Sequence, residues 1–242
     1  MKQLVKAAAR RVLGHDPAPY RDLSPETRET MERCRPFTMT SPERIASLCA
    51  AIEYVTKHDI PGDFVECGVW KGGSSMAAAL TYQRTGRTPD LYLYDTYEGM
   101  SAPTEDDIDA STGATAEDLL NQASKDELVW CYSSLDEVKG NIGSTGYPMD
   151  RVHMIKGKVE DTIPGTIPEQ IAILRLDTDF YESTRHELVH LYPRLSHGGV
   201  LIIDDYGHWL GARKAVDEYI EENGLRILLN RIDVTGRIAI KC

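Results

Sequence analysis

The stretch IAILRLDTDFY, residues 171–181, is an almost unbroken apolar run that ends in two aspartates. A second run, VLIIDD at residues 200–205, has the same form. Short apolar runs without alternation are typical of strands buried on both faces, which occur in parallel sheets covered by helices. The residues between them, Tyr181–Leu195, have a helical pattern that ends at His197-Gly198-Gly199. The two runs therefore predict neighbouring parallel strands whose carboxyl ends carry acidic side chains.

The same alternation extends outward in both directions. It predicts further strands at Asp63–Val69, Leu91–Asp95, Arg151–Lys156 and about 225–232 and 237–241. Helical patterns fill the gaps, at 74–83, 116–124, 134–141 and 211–222. Thr235-Gly236 between the last two strands indicates a hairpin turn. We expect a Rossmann-like α/β fold: a seven-stranded, mostly parallel sheet with a C-terminal antiparallel hairpin.

The chain divides into two predicted regions. Residues 1–60 read as a helical cap, with N-cap signals at Ser24-Pro25 and Ser41-Pro42. Its first fifteen residues form a basic amphipathic pattern, which we interpret as a helix packed on the domain or on a partner subunit. Residues 61–242 form the α/β domain, interrupted at about 96–116 by a long polar segment. Loops of that length in compact domains are commonly lids, and we expect the acidic residues of this loop to be solvated.

Composition excludes several classes of protein. The 38 acidic residues outnumber the 27 basic ones, for a formal net charge of -11, which disfavours nucleic acid and anionic membrane surfaces as partners. The five cysteines are scattered, without a CxxC pair, so a disulfide framework and a zinc site are not expected. No apolar run approaches the ~18 residues that span a bilayer. A protein of the reducing cytoplasm, without a membrane span, is the expectation.

Polar or glycine-rich residues follow the predicted strands directly. The first strand is followed by Gly68, Gly72 and Gly73, a spacing that fits neither GxxxxGK[ST] nor GxGxxG. The second strand ends in Asp95, which is placed to accept hydrogen bonds from ribose hydroxyls. In open α/β sheets ligands bind outside the carboxyl ends of the strands. A cofactor that contains adenosine is therefore predicted, and these residues alone leave nicotinamide cofactors and S-adenosylmethionine both open.

Four carboxylates form the second predicted group. Asp177 and Asp179 lie two residues apart in a segment expected to be extended, so that their side chains point the same way, and Asp204 and Asp205 end the next strand. Carboxylates at one sheet edge raise each other's pKa unless a cation neutralises them. Ligation by oxygen alone suits a hard ion, Mg²⁺ first, with Mn²⁺ or Ca²⁺ as alternatives. The other interpretation is that these aspartates cap the helices that follow.

Six motifs in order resemble the macrocin O-methyltransferase family (the TylF, MycF and NovP type), from about residue 37 to the end. They are TMTSPER at 38–44, FVECGVWKGGS at 64–74, YDTYEGM at 94–100, GKVEDT at 157–162, LRLDTDFY at 174–181 and IDDYGHW at 203–209. The resemblance implies a class I methyltransferase fold. It also implies S-adenosylmethionine- and Mg²⁺-dependent methylation of a hydroxyl on a deoxysugar of a glycosylated natural product, with a homodimer or higher homo-oligomer as the assembly.

Site residues carried over by position follow from the same resemblance. It implies Asp179 as the general base, Mg²⁺ (or Mn²⁺) on Asp177, Asp204 and Asp205, and a substrate-closing lid after Tyr97. It places Glu66 and Gly68 near the methionine end of the cofactor. The full implied cofactor set is Thr40, Glu66, Gly68, Trp70, Gly72, Ser74, Ser75, Asp95 at the ribose, Glu98, Gly99, Asp161 at the adenine, and Thr162.

Other functions stay open at this point. A metal-dependent methyltransferase acting on catechols or phenols would use a similar site, and a non-catalytic family member would bind cofactor but ignore magnesium. A nicotinamide oxidoreductase would need a hydride-transfer apparatus, which the sequence does not display. His208, just after the Asp204-Asp205 pair, is a candidate for contact with substrate or, alternatively, a loop histidine bonded to backbone.

Overall fold

A single seven-stranded sheet organises the protein in this computed structural model, which describes residues 20–242. The strand order is β3-β2-β1-β4-β5-β7-β6, with β5–β7 and β7–β6 antiparallel and the other pairs parallel. The bounds are β1 Asp63–Cys67, β2 Leu91–Asp95, β3 Val152–Lys156, β4 Ile171–Leu176, β5 Leu195–Ile203, β6 Asn230–Arg231 and β7 Arg237–Ile240. The predicted α/β fold with its C-terminal hairpin is confirmed.

Eight α-helices accompany the sheet within the described residues. They are α1 Pro25–Cys34, α2 Pro42–Lys57, α3 Gly73–Thr85, α4 Ala116–Gln122, α5 Leu135–Gly143, α6 Val159–Thr162, α7 Tyr181–Leu191 and α8 Leu210–Glu222. The two predicted Ser-Pro caps form: Ser24 Oγ accepts the Thr27 N–H at 3.1 Å, and Ser41 Oγ accepts the Arg44 N–H at 3.2 Å. The amphipathic pattern of the first fifteen residues lies outside the described part of the chain.

Helices cover both faces of the sheet, as unbroken apolar strands require. On one face, Phe64 and Ile173 pack with α1, α2, α3 and α5. On the other, Val65 and Leu174 pack with α6, α7 and α8. Adjacent residues of β1 and β4 thus belong to opposite cores, because side chains alternate along a strand. With both faces buried, ligand access is left to the ends of the strands.

The predicted boundary between α7 and β5 is wrong. The helix ends at Leu191 and the strand begins at Leu195, five residues before the predicted Val200. His197-Gly198-Gly199 lies inside the strand, as an irregularity in the pairing with β4 in which Gly198 has a φ of +81°. The final strands are also shorter than predicted, since β6 is only Asn230–Arg231.

The segment after β2 differs from the solvated loop expected there. Asp107 is fully buried and Asp109 is 9 % exposed. Ile108 and Asp109 form isolated β-bridges with Thr115 and Trp209. The expectation of solvation is therefore wrong for these two aspartates, because both turn into the protein and accept hydrogen bonds there.

Two general expectations about the chain can be compared with residues 20–242. Within them, no helix combines the length and the apolar character that crossing a bilayer would require. The five cysteines, all of which lie in this range, are free thiols, so the expected lack of a disulfide framework is confirmed.

Candidate active site

One cavity of about 560 Å³ opens at the carboxyl ends of β1, β2, β4 and β5. Its walls are formed by residues that follow these four strands and by the segment before α2. Ligand sites in open α/β sheets lie at this end of the strands. Of the sixteen site residues that the family resemblance implies, ten line it: Thr40, Gly68, Trp70, Ser74, Asp95, Gly99, Asp177, Asp179, Asp204 and Asp205. The candidate His208 lines it as well. The structure thus brings the glycine turn and the acidic strand ends into a single space.

Six other sequence-predicted residues do not line the cavity. Glu66 and Ser75 are buried beneath it and hydrogen-bonded to each other. Gly72 is the N-cap of α3, where an added Cβ would lie 3.3 Å from Val138. Glu98 is exposed and paired with Lys156. The last two, Asp161 and Thr162, lie on α6, and the residues just before them, 157–160, line the cavity instead.

The glycine turn accommodates neighbouring backbone. Gly68 has a φ of +81°, and a Cβ there would lie 1.9 Å from the carbonyl oxygen of Asp177. A Cβ at Gly73 would lie 2.6 Å from the carbonyl oxygen of Phe37. Glycine is required at both positions because two chain segments touch, a reason that the sequence pattern did not reveal.

Asp95 organises this turn. One carboxylate oxygen accepts the N–H groups of Val69 at 2.7 Å and Trp70 at 3.0 Å, and the other accepts the N–H of Tyr97 at 2.7 Å. Burial raises the pKa of Asp95, although these three hydrogen bonds favour the charged form. The Thr96 hydroxyl also lies 3.4 Å from Asp95 Oδ1, although it is closer, at 2.6 Å, to the carbonyl oxygen of Gly99. A carboxylate has about four lone-pair sites, so Asp95 can accept a ligand hydroxyl in place of this longest contact while it holds the turn.

The acidic cluster is compact. Asp177, Asp204 and Asp205 each offer an oxygen within 4.8 Å of the others, and Asp179, Asp205 and His208 form a second such group. These are the two groups of potential metal ligands found within residues 20–242. The expectation of an extended segment at Asp179 is wrong: its φ is +69°, in the left-handed region. That strained turn brings Asp179 towards Asp205, whose carboxylate accepts its N–H at 3.3 Å.

Two arginines, which sequence reasoning missed, neutralise part of the cluster. Arg175 on β4 is 2 % exposed and bonds Glu66 at 2.6 Å, Asp177 at 2.8 Å and Asp204 at 2.7 Å. Arg44 on α2 pairs with the other oxygen of Asp204. A charged residue inside an apolar strand was the available signal for Arg175, because such a residue is seldom buried without partners.

The two arginines do not balance the negative charge of the four aspartates. Burial, opposed by Arg175, raises the pKa of Asp177 well above its ordinary value. Burial and the neighbouring Asp179 do the same for Asp205. Burial and Asp177 raise the pKa of Asp179 to about 8. Four carboxyls thus share two guanidinium groups, and this all-oxygen donor set fits a hard dication.

Comparison with known proteins decides the class to which this arrangement belongs. The family model described as macrocin O-methyltransferase (TylF) matches residues 11–239. The chain belongs to that family. It is accordingly an S-adenosylmethionine-dependent O-methyltransferase.

Two relatives are identical to this O-methyltransferase at about a third of the aligned positions. The 8-demethyl-8-(2,3-dimethoxy-alpha-L-rhamnosyl)-tetracenomycin-C 4'-O-methyltransferase of Streptomyces olivaceus is 34 % identical over 200 residues, which are 82 % of this chain and 73 % of the relative. Mycinamicin III 3''-O-methyltransferase of Micromonospora griseorubida is 34 % identical over 204 residues, 82 % and 76 % of the two chains. Both act on natural products, by their names.

Solved structures confirm the fold. The O-methyltransferase NovP superposes with a TM-score of 0.72 at 29 % identity, covering 85 % of this chain and 82 % of NovP. The calicheamicin methyltransferase CalS11 superposes with a TM-score of 0.60 at 18 % identity, covering 93 % and 98 %. The second likeness shows the class I methyltransferase architecture alone.

In the macrocin-family chain, Trp209 joins the acidic cluster to the loop before α4. Its indole Nε1 donates to Asp179 Oδ1 at 2.8 Å, and its ring packs edge-on against Phe180 at 5.6 Å between centroids. Its backbone bridges to Asp109. Trp209 therefore orients the Asp179 carboxylate and ties it to the loop, a role that the sequence did not disclose.

Asp107 fixes the other side of this loop. It accepts the N–H of Tyr181 at 2.7 Å and both the N–H and the hydroxyl of Thr104, at 2.7 and 2.9 Å. A Cβ at Gly211 would lie 2.1 Å from its carboxylate, so the loop packs tightly against the start of α8. The loop is thus docked beside Asp179, and His208 lies 3.4 Å from Asp109 at its edge.

Proposed function

We propose that this chain transfers a methyl group from S-adenosylmethionine to a hydroxyl of a deoxysugar on a glycosylated natural product, with Mg²⁺ as the metal. The observation that carries the proposal is the single cavity in which four aspartates face the glycine turn after β1. The relatives named above supply the acceptor class, because the names of both describe methylation of natural products and one names a rhamnosyl group.

The cofactor would be held at the turn. Gly68, Trp70 and Ser74 line that side, Asp95 would accept ribose hydroxyls, and Gly99 faces the same wall. When bound, S-adenosylmethionine supplies an electrophilic methyl group on a sulfonium centre. The buried Glu66 and Ser75 support the turn from below. We assign the adenine end to residues 157–162, and Thr40 and Glu98 to the edges of the site.

The metal would be held by Asp177, Asp204 and Asp205, whose oxygens converge within 4.8 Å. Oxygen-only ligation favours Mg²⁺, with Mn²⁺ as the alternative. When bound, the ion lowers the pKa of a coordinated hydroxyl. The chain contributes the fixed positions of the three carboxylates, which Arg175 holds from the buried side.

Asp179 would take the proton. A sugar hydroxyl is a poor nucleophile until its proton is removed, and a carboxylate within reach is a competent acceptor. Trp209 holds one Asp179 oxygen at 2.8 Å, and Asp179 lines the cavity. Its pKa, raised to about 8 by burial and Asp177, falls when positive charge enters the cluster, because an opposite charge favours the ionised form.

The acceptor would enter between the N-terminal helices and the loop after β2. We propose that residues 1–60 form a cap on the acceptor side and that residues 96–116 act as the lid. Met39 and Leu128, 48 % and 68 % exposed, give the mouth of the cavity an apolar rim. Apolar surface at the mouth suits an aglycone that stays outside while its sugar reaches the acids.

Assembly and location complete the proposal. We propose a cytoplasmic homodimer or higher homo-oligomer, and five free thiols are consistent with a reducing compartment. Size-exclusion chromatography with light scattering measures the assembly directly.

The deciding experiment is a methyl-transfer assay with S-adenosylmethionine on glycosylated natural products, their free aglycones and aromatic diols, each with Mg²⁺ and with EDTA. We expect methylation of the glycosides only, and its loss in EDTA. Methylation confined to aromatic diols would assign the chain to the catechol type instead. Binding of S-adenosylhomocysteine without transfer to any acceptor, and without a magnesium effect, would indicate a non-catalytic member.

A further inference from the structure

Arg44 forms an ion pair with Asp204, one of the proposed metal ligands. Its guanidinium Nη1 pairs with Asp204 Oδ2, and the side chains are 14 % and 3 % exposed. Arg175 bonds the other oxygen, Asp204 Oδ1, at 2.7 Å. Both oxygens of Asp204 therefore carry a guanidinium contact. Each oxygen keeps a further lone pair, but a dication that binds this carboxylate meets the positive charge of two guanidinium groups beside it.

The two arginines differ in what else holds them. Arg175 is buried in the sheet and bonds Glu66 and Asp177 as well, so leaving Asp204 would strand a charge in the core. Arg44 has a second carboxylate partner outside the acidic cluster: its Nε lies 3.0 Å from Asp233 Oδ2. Arg44 is the guanidinium that can leave Asp204 and remain neutralised.

The Asp233 partner is itself fixed. Its Oδ1 accepts the N–H groups of Thr235 at 2.9 Å and Gly236 at 2.7 Å, and its Oδ2 accepts the hydroxyl of Ser41, the N-cap of α2. A Cβ at Gly236 would lie 2.7 Å from Arg44 Cδ, so the turn also shapes the channel in which the arginine lies. Asp233 keeps its position whether or not Arg44 contacts Asp204.

We infer that Arg44 is a resident counter-ion that competes with the divalent cation for Asp204, and that it releases Asp204 but keeps Asp233 when the cation binds. This inference rests on the proposed metal site. The exchange replaces one positive charge by two at the acidic cluster, where Asp179 and Asp205 have no arginine partner among the ion pairs of residues 20–242. Arg44 then sets the metal affinity from the wall of the cavity, which it lines.

Metal binding to the metal-free full-length chain tests this without any turnover. Free Mn²⁺ is measured by electron paramagnetic resonance, and Mg²⁺ binding by calorimetry. We expect Arg44→Gln to bind Mn²⁺ about five- to tenfold more tightly than wild type, as expected for a coupling of ordinary size. Asp233→Asn, which leaves Arg44 with Asp204 as its carboxylate partner, is expected to bind Mn²⁺ more weakly.

Opposite shifts are the decisive result, because a merely structural role for the Arg44–Asp233 pair would loosen metal binding in both variants. The double variant is expected to behave as Arg44→Gln does. Arg44→Lys is the substitute if Arg44→Gln folds poorly. It retains the charge but cannot span two carboxylates, so it is expected to bind Mn²⁺ more tightly than wild type, by a smaller factor than expected for Arg44→Gln. Weaker or unchanged binding in Arg44→Gln, with normal wild-type binding, overturns this inference alone. A wild-type chain that binds neither ion overturns the metal site and the inference together.

Discussion

Two groups of aspartates, connected through Trp209, are held in opposite ways. In the cluster after β4 and β5, carboxylates face one another, and burial with Asp177 raises the pKa of Asp179 to about 8. In the loop before α4, Asp109 accepts the hydroxyl and N–H of Ser111 and the N–H of Thr112. Those hydrogen bonds, that of the Ser111 hydroxyl first, lower the pKa of Asp109 to about 2.

The contrast shows what separates a reactive carboxylate from a structural one. Asp107 and Asp109 accept hydrogen bonds from N–H groups of the loop and of a neighbouring segment, so they hold the backbone of these segments in place. Asp179 and Asp205 meet few donors and several like charges, so they can take a cation or a proton. The two pairs of aspartates therefore differ in how many hydrogen-bond donors surround each carboxylate.

The largest expected effect comes from removing the proposed base. Asp179→Asn should lower kcat by about 10²- to 10⁴-fold, the usual contribution of a general base, because the amide keeps the shape but accepts no proton. Steady-state kinetics measures this, and calorimetry with S-adenosylhomocysteine should show nearly unchanged cofactor affinity. Asp109→Asn is the matched control from the other group, since Asn retains an acceptor oxygen. Normal turnover in Asp179→Asn would refute the assignment.

The next largest effect tests the metal ligands. Asp204→Asn should weaken Mn²⁺ binding by at least about tenfold, comparable to losses seen at metal sites when a supporting group is changed, because the ligand loses its charge. Titration of activity with Mg²⁺ should shift in parallel. Asp106→Ala, which removes an exposed partner of Lys214, serves as the control. An unchanged magnesium titration in Asp204→Asn would count against the ligand set.

The structural group gives a smaller effect, on stability. Asp107→Ala should lower the free energy of unfolding by about 1–3 kcal/mol, because the N–H of Tyr181 is left without its acceptor. The neighbouring Asp106→Ala should cost about 0–1 kcal/mol, as exposed ion pairs do. Urea unfolding of both variants measures the difference. Equal losses would mean that burial of Asp107 contributes nothing beyond its charge.

A third kind of carboxyl sharpens the comparison. Glu187 is fully buried beneath Thr178, whose hydroxyl donates to it at 2.9 Å, and burial raises its pKa well above the ordinary 4.5. Above pH 4.5 the unfolded chain has lost this proton while the folded chain retains it, so wild-type stability falls as pH rises. The slope is at most about 1.4 kcal/mol per pH unit, up to the folded pKa.

Glu187→Gln removes that proton linkage. We expect its stability advantage over wild type, measured by urea unfolding, to widen between pH 5.5 and 7.5. A difference that stays constant over this range would show that Glu187 is ionised in the folded protein.

Local pattern predicted much of the sheet. β2 and β4 begin and end where their apolar runs do, and Ser24 and Ser41 cap helices as their Ser-Pro pairs indicate. The prediction fails at β5, where the pattern indicates that a helix ends at Gly198. Glycine permits a positive φ both after a helix and within an irregular strand, and only the pairing with β4 and β7 distinguishes the two.

Grouping of the acidic strand ends was predictable from topology, but their partners were not. Arg175 and Arg44 are 131 residues apart in the chain and meet at Asp204. Likewise, the acidic loop reads as solvated until Asp107 is seen to receive the N–H of Tyr181. Contacts between distant segments decide which hydrogen-bond donors face a carboxylate. The local sequence does not indicate these contacts.

Gly68 has one more consequence, for how acceptor choice can diverge. Its lack of a side chain lets the first strand's turn press against the carbonyl of Asp177, and Asp177 N–H bonds Cys67 O at 2.9 Å. The distance between the glycine turn, where we propose the cofactor, and Asp177, a proposed metal ligand, is thus set by contacts between peptide groups. Side chains at the rim of the cavity can therefore be exchanged, in evolution or by engineering, without a change in the distance between these two parts of the proposed site.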